Sequence, residues 1–375
     1  MTRFVDSISQ AGSIRINQQV TDLQREGRDV TVLSLGEAFF DIPMFDFGKI
    51  DFTRGYHYSD SRGVPSLRGR IADYYRDEHG VRADPDTNVL VSTGSKTCLY
   101  LALMALLEPG DEVLVQEPYW LSYPTQVQLA RGVPVAIPHW TLASGFKEYF
   151  TPRTKVVILN NPNNPAGSVY SEEALRHIYR QCRDHGATLL VDEAYSDFSL
   201  DGSFVSSGRL DDSFENLVIV NSLSKNMGMS GWRLGFLLAG ERLLADMLKL
   251  NQHLVTCAPT VLQLYCDAYF EDIRRAVRPQ VRAVVEKRER VRGLMARLGL
   301  EAMGGASTFY FLVDIKASGL GSEAYAERLL HERSIAVVPG RYYGATTDHF
   351  VRVGVGTESE ERIEAALVQI RETLR

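Results

Sequence analysis

Residues Leu217–Gly235 read LVIVNSLSKNMGMSGWRLG, and the reading of the whole chain turns on them. Leu217–Asn221 is apolar and β-branched without polar alternation, as in a strand buried on both faces. Ser222-Leu223-Ser224-Lys225 follows at the carboxyl edge of that strand. A turn-rich run, Gly228-Met229-Ser230-Gly231, comes next, and Gly235–Ala239 reads as a further strand. A lysine in a loop is ordinarily solvated. One at the carboxyl edge of a sheet is partly desolvated, which disfavours the ammonium form and leaves an amine able to attack an aldehyde.

Working upstream, the hydrophobic period switches repeatedly between strand and helix. An amphipathic start leads to a short strand over Val30–Leu35, ended by Gly36, and an irregular stretch runs from Glu37 to Tyr58. Val64–His79 reads as a helix with Leu67, Ile71, Tyr74 and Tyr75 on one face and Pro65 in its first turn. Val89–Ser92, Glu112–Val115, Lys155–Leu159 and Thr188–Val191 read as short buried strands. Lys96–Leu107 reads as a helix, and Ser171 caps another that runs to about His185, with Glu172 and Glu173 in its first turn. Alternating strands and helices predict an α/β fold, a mostly parallel sheet flanked by helices on both faces. Ligands of such sheets sit at the carboxyl ends of the strands. Polar residues follow several of those ends: Thr93-Gly94-Ser95, Asn160-Asn161, Asp192-Glu193 and Ser222–Lys225.

Beyond about residue 270 the texture changes. A long charged helix, Glu271–Leu298, is followed by strands over Phe309–Ile315, Ala336–Val338 and Val351–Val355, a helix near Glu323–Glu332 and a final helix. This predicts a second, smaller α+β domain over 271–375, joined by the N-terminal segment 1–45, with 46–270 forming the large domain. The length of 375 residues suits two domains.

The bulk numbers exclude several classes of function. Hydrophobic content of 45% and charged content of 23% are those of an ordinary globular protein. A formal net charge of −6 argues against general affinity for nucleic acid. The arginines of 274–292 are interrupted by Glu and apolar residues and read as a solvated helix face. Cys98, Cys182, Cys257 and Cys266 form no C-x-x-C pair, so free thiols in a reducing compartment are expected, and neither zinc spacing nor H-E-x-x-H occurs. Met1–Gln10 lacks the apolar core of a signal peptide. Leu99–Leu107, the longest apolar run, is about half of what a bilayer span needs. A cytoplasmic protein without a metal site, a membrane span or a nucleic-acid partner is expected.

Motifs narrow the chemistry further. No G-x-G-x-x-G follows a strand, which argues against a dinucleotide site. Gly94-Ser95-Lys96-Thr97 lacks the upstream glycine and spacing of a nucleotide phosphate loop. Yet it lies between a strand and a helix N-terminus, where the amides near Ser95 and Lys96 favour a phosphate. Ser222–Lys225 also fits the S-x-x-K of acyl-transfer enzymes, but the companion S-D-N and K-T-G elements are missing.

The run Ser222–Gly235 resembles the lysine segment of the class I/II aminotransferases, enzymes of pyridoxal-phosphate fold type I. The resemblance implies that Lys225 carries pyridoxal 5'-phosphate covalently and that Ser222 and Arg233 bind its phosphate. Four further segments agree in order and spacing. Asn160–Gly167, NNPNNPAG, resembles the family's N-P-x-G segment and implies Asn164 beside the ring oxygen of the cofactor. Asp192–Tyr195 resembles D-E-x-Y, which implies Asp192 on the pyridine nitrogen and Tyr195 on the ring oxygen. Glu117–Pro124, EPYWLSYP, implies Trp120 over the ring. Phe350–Gly354, FVRVG, implies that Arg352 holds the substrate's α-carboxylate, with Gly36 and Asn164 nearby. The match runs from about Leu33 to the C-terminus.

These residue types suit the implied chemistry. An ionised carboxylate keeps a pyridine nitrogen protonated, and each arginine offers a planar fork that matches two oxygens of an anion. The freed lysine can carry a proton between Cα and the cofactor. The implied function is transamination between an L-amino acid and a 2-oxo acid with ping-pong kinetics. The alternative is another carbanion reaction on the same fold, by a β-lyase, cyclase or hydroxylating enzyme. A cofactor-sensing regulator would need a DNA-binding domain for which the length leaves no room. Tyr58 resembles the tyrosine that reaches a neighbouring subunit's phosphate, implying a homodimer with shared sites. The chain departs from the family between Pro43 and Tyr58, which is short, and at Ala38, where many relatives have Pro. Lys96 stands where some relatives acting on dicarboxylic substrates have Lys, whereas Glu37 and Asp41 suit a basic substrate.

Overall fold

The computed structural model describes residues 4–8, 10 and 12–374; Met1–Arg3, Ser9, Ala11 and Arg375 lie outside it, so the expectation for the first ten residues falls partly on undescribed chain. In chain order the main elements begin with α1 (Gly12–Arg25), β1 (Thr31–Val32), α2 (Phe52–Gly55), α3 (Pro65–His79), β2 (Val89–Ser92), α4 (Ser95–Leu106) and β3 (Glu112–Gln116). They continue with α5 (Tyr123–Leu129), β4 (Val133–Ile137), β5 (Thr154–Asn160), α6 (Glu172–Asp184), β6 (Thr188–Asp192), β7 (Leu217–Ser222), α7 (Leu223–Asn226) and β8 (Gly235–Ala239). The remainder are α8 (Glu241–Leu254), α9 (Thr260–Ala268), α10 (Phe270–Leu298), β9 (Tyr310–Asp314), α11 (Ser322–Arg333), β10 (Ile335–Ala336), β11 (Val338–Pro339), β12 (Phe350–Gly354) and α12 (Glu360–Glu372).

Seven strands form one sheet in the order β2-β8-β7-β6-β5-β3-β4. The pairs from β4 through β7 are parallel, and β8 runs antiparallel to both β7 and β2. The strands read as unbroken apolar runs because both faces are covered. Val156 and Ile158 of β5 pack into one apolar layer with Leu190, Val218 and Leu101. Val157 and Leu159 pack into the opposite layer with Leu189, Ile219 and Leu175. Each such side chain contributes about 1.5–3 kcal/mol by leaving water. With both faces spent on burial, the strand ends are the places left for polar chemistry.

A second, antiparallel sheet, β11-β12-β9, lies beyond the 29-residue α10. That helix bonds to α3 near its start, through Arg274 and Glu78, and to α12 further along, through Arg290 and Glu360. β1 pairs in parallel with β10, which ties the N-terminal segment to the C-terminal part of the chain.

Two sequence-based expectations change. The strand expected over Val30–Leu35 is ladder-paired only at Thr31 and Val32. After that the chain threads past the second sheet: the Leu33 amide bonds to the Ala336 carbonyl and the Gly354 amide to the Leu33 carbonyl. The strand expected over Ala336–Val338 is split, since Ile335–Ala336 pairs with β1 and Val338–Pro339 with β12. No helix among the described residues is long and apolar enough to cross a membrane.

Candidate active site

A cavity of about 450 Å³ opens at the carboxyl ends of β5, β6 and β7 and is faced by residues 34–37, Tyr310 and Arg352. It gathers nearly all the residues that the motifs single out: Gly36, Ser95, Lys96, Trp120, Asn164, Asp192, Tyr195, Ser222, Lys225, Arg233 and Arg352. Tyr58 stands apart. It is 84% exposed and borders a separate, open groove with Tyr56 and Thr93.

One end of the cavity is built for an anion. β2 ends at Ser92, the chain turns at Gly94 and α4 begins at Ser95, so the first amides of that helix face the cavity end without partners inside the helix. Gly94 has φ +83°, and a Cβ there would sit 2.6 Å from Arg233 Nη2. A Cβ on Gly235 would sit 2.3 Å from the Ser95 amide nitrogen. The two bare backbones therefore leave a cradle that any side chain would fill. Arg233 adopts a left-handed conformation, φ 54° and ψ 47°, which costs of order 1 kcal/mol in a non-glycine residue. Its guanidinium donates to the Ser230 carbonyl at 2.7 Å and, among the described residues, pairs with no carboxylate. Ser222 lies at the start of α7, where its hydroxyl accepts from the Ser224 amide at 3.3 Å. The donor set and the open cradle fit a phosphate.

At the floor, Asp192 closes β6. Its carboxylate accepts from the Tyr123 hydroxyl at 2.9 Å and from the Ala194 amide at 3.1 Å. Burial pushes its carboxyl up to about 6, against the lowering effect of those two donors. Among the described residues no cation pairs with this buried acid, so it fits a protonated ring nitrogen. Glu193, next in sequence, points elsewhere and binds Ser206, the Ser207 amide and Tyr75. Lys96 lies over Trp120, its ammonium 4.9 Å from the ring, and burial followed by Arg233 lowers its proton affinity.

On the facing wall Arg352 is 3% exposed. It donates to the Ser34 carbonyl at 2.6 Å and to Asn164 Oδ1 at 3.3 Å, its Nε has no partner, and no carboxylate faces it among the described residues. The guanidinium carbon lies 4.5 Å from the centre of the Tyr310 ring and 5.6 Å from that of Tyr343. Asn164 also donates to the Tyr195 hydroxyl at 3.4 Å, and Tyr195 shares a 2.9 Å hydrogen bond with Tyr310. The Lys225 amine donates to the Gly36 carbonyl. Burial brings Lys225 down to about 8; Glu37 opposes that shift and Arg352 and Arg233 reinforce it.

Sequence reasoning missed four contributors. Tyr123 stood within EPYWLSYP without a role. Tyr310 sits in an apolar strand and gave no signal. Ser230 donates to the Glu37 carboxylate. Glu117 accepts from the Ala345 and Thr346 amides at 2.7 and 2.9 Å and so holds the loop beside Tyr343.

The sequence model of the family "Aminotransferase class I and II" matches residues 32–370. The chain is 32% identical over 370 residues to the aspartate aminotransferase of Pyrococcus abyssi, covering 96% of this chain and 95% of that one. It is 30% identical over 370 residues to aromatic-amino-acid aminotransferase 2 of Thermococcus litoralis, with the same shares covered. Among solved structures, aspartate aminotransferase from Thermus thermophilus with maleate superposes with a TM-score of 0.90 at 29% identity, covering 100% of this chain and 99% of that one.

Proposed function

The chain belongs to the class I and II aminotransferase family, and on that premise we propose which of its residues hold the cofactor, hold the substrate and move the proton. It is a pyridoxal-phosphate-dependent transaminase that moves an amino group between an amino acid and a 2-oxo acid. Bound pyridoxal phosphate supplies an electron sink that makes the Cα–H of an amino acid acidic.

Lys225 Nζ, brought down to about 8 by burial so that a fraction of it is neutral near physiological pH, would be the nucleophile for the cofactor's aldehyde carbon. The same nitrogen, once free, would be the base that accepts the substrate's Cα proton and the acid that gives it back. Asp192 holds the proton on the pyridine nitrogen. Tyr195 and Asn164 hydrogen-bond the ring oxygen, and Trp120 covers the ring face. Arg233, Ser222 and the backbone amides of Ser95 and Lys96 hold the phosphate end. Arg352, with Gly36 and Asn164, takes the α-carboxylate and so orients Cα–H toward Lys225. The carrying observation is that Lys225 and Arg352 face one cavity, the first with its ammonium form disfavoured and the second with no carboxylate against it.

The Lys96 ammonium has no acid beside it among the described residues, whereas Glu37 is engaged by Ser230. With relatives from Pyrococcus abyssi and Thermus thermophilus named for aspartate, this supports a dicarboxylic amino acid as one substrate. Tyr58 and Tyr56 are 84% and 81% exposed beside the turn that forms the anion cradle. A second copy of the chain covers them in the proposed homodimer, in which Tyr58 serves the partner's site. Residues 46–270 form the cofactor-binding domain, 271–375 with the first 45 residues form the smaller one, and the enzyme works in the cytoplasm.

The test is a screen of the yellow holoenzyme with single amino acids and no second substrate. Aspartate or glutamate is expected to bleach the yellow band and yield its 2-oxo acid in one equivalent. Release of ammonia, a ring-closed product or oxygen uptake instead would move the enzyme to the other carbanion reactions.

A further inference from the structure

Tyr310 is held more firmly than a spacer requires. It opens β9 opposite Gly354, and its carbonyl accepts from the fully buried Arg288 at 3.0 Å. Its ring lies against the Arg352 guanidinium, 4.5 Å from the guanidinium carbon. Its hydroxyl meets that of Tyr195 at 2.9 Å, with the ring planes at 78°. One side chain therefore touches both the group that takes the carboxylate and the group that serves the cofactor's ring oxygen.

The direction of the shared hydrogen bond follows from its surroundings. Either hydroxyl can donate. With an anionic ring oxygen beside it, Tyr195 donates there, because a hydrogen bond to a charged acceptor is about twice as strong as one to a neutral hydroxyl. Tyr310 is then the donor to Tyr195, and a hydroxyl that receives a hydrogen bond gives a stronger one. The charged and titratable groups around the pair are Asp192, Arg352, Glu37 and Tyr343, together with Lys225 across the cavity.

We propose that Tyr310 is a positioning residue whose hydroxyl orients and polarises Tyr195 toward the cofactor's ring oxygen while its ring backs the carboxylate-binding Arg352. The inference deepens the site reading above and rests on it, specifically on Tyr195 serving the ring oxygen.

The test compares holoenzymes carrying Tyr310→Phe, Tyr195→Phe and both, and reads the pH titration of the bound cofactor's visible absorbance. Weakening the donor to the ring oxygen concentrates its negative charge, so the neighbouring proton is held to higher pH. Tyr310→Phe is expected to raise the midpoint by about half a unit, roughly threefold in proton affinity. Tyr195→Phe raises it further, and the double variant matches Tyr195→Phe alone. KM for the amino acid stays within about twofold in Tyr310→Phe, because a phenyl ring still backs Arg352. A shifted midpoint in Tyr195→Phe with none in Tyr310→Phe overturns the inference and leaves the site reading standing. Shifts that add in full in the double variant overturn it too, since Tyr310 would then act independently of Tyr195. No shift in either single variant removes Tyr195 from the ring oxygen and the inference with it.

Discussion

The two walls of the cavity are made differently. The sheet-side wall comes from strand ends: Thr93–Lys96 after β2, Asn160–Asn164 after β5, Asp192–Tyr195 after β6 and Ser222–Arg233 after β7. Each piece is local, a few residues following a strand whose burial fixes its position. The opposite wall is assembled from 34–37, Tyr310 and Arg352, held by contacts made far away in sequence: Gly354 to Leu33, Arg288 to Tyr310 and Glu117 to the Ala345 and Thr346 amides. The difference teaches how the labour is divided. On the proposed assignment the sheet carries groups for the constant partner, the cofactor, and the assembled wall carries Arg352 for the molecules that come and go.

If that division is right, damage to the sheet wall changes the cofactor and loss of Arg352 from the other wall changes substrate binding, with Tyr310, in contact with both Tyr195 and Arg352, as the link between them. The largest effect is expected from Asp192→Ala, which removes the carboxylate proposed to face the ring nitrogen. Its kcat falls by roughly 10³-fold, about 4 kcal/mol of barrier, while the protein stays folded by circular dichroism. Arg352→Met comes next: kcat/KM for amino acids falls about 10²-fold with the visible absorbance of the cofactor unaltered. An altered absorbance there would break the division. Gly94→Ala drives a Cβ into Arg233 at a left-handed turn, and equilibrium dialysis should show cofactor affinity weakened by about tenfold, some 1.4 kcal/mol, with little change in KM for the amino acid.

The smallest effect tests a link between the walls. The Glu37 carboxylate favours the ammonium form of Lys225 and opposes the burial that nonetheless brings its amine down to about 8. Glu37→Gln removes that support, so the amine loses its proton at lower pH. The rate at which the apoprotein takes up pyridoxal phosphate rises as the amine becomes neutral. Its pH profile should move to lower pH by about half a unit, roughly 0.7 kcal/mol. A shift to higher pH would show that Glu37 acts on another group.

The same contrast explains what was legible beforehand. Val89–Ser92 and Gly235–Ala239 match the observed strands residue for residue, and the other central strands differ by one residue at one end, or at both ends for β5, because double-sided burial demands unbroken apolar runs. β4 was not read: its VPVAI is an edge strand with an internal proline and half-exposed side chains, so its pattern is diluted. The helices of 241–268 went unread as well. In the cavity, residues such as Lys225, Asp192 and Asn164 announce themselves through neighbours a few positions away. Tyr310 does not, because its partner Tyr195 is 115 residues distant and nothing in FYFLVD distinguishes a packing tyrosine from a working one. Tyr58, which the resemblance assigns to a neighbouring subunit's phosphate, lies on the outer surface beside a separate groove, 84% exposed.

The most direct measurement locates the covalent bond. Holoenzyme is reduced with borohydride, digested and analysed by mass spectrometry. The account predicts one reduced pyridoxyl group, on the peptide containing Lys225 and absent from Lys225→Ala. The same group on Lys96, which lines the same cavity, or on no lysine at all, would contradict it.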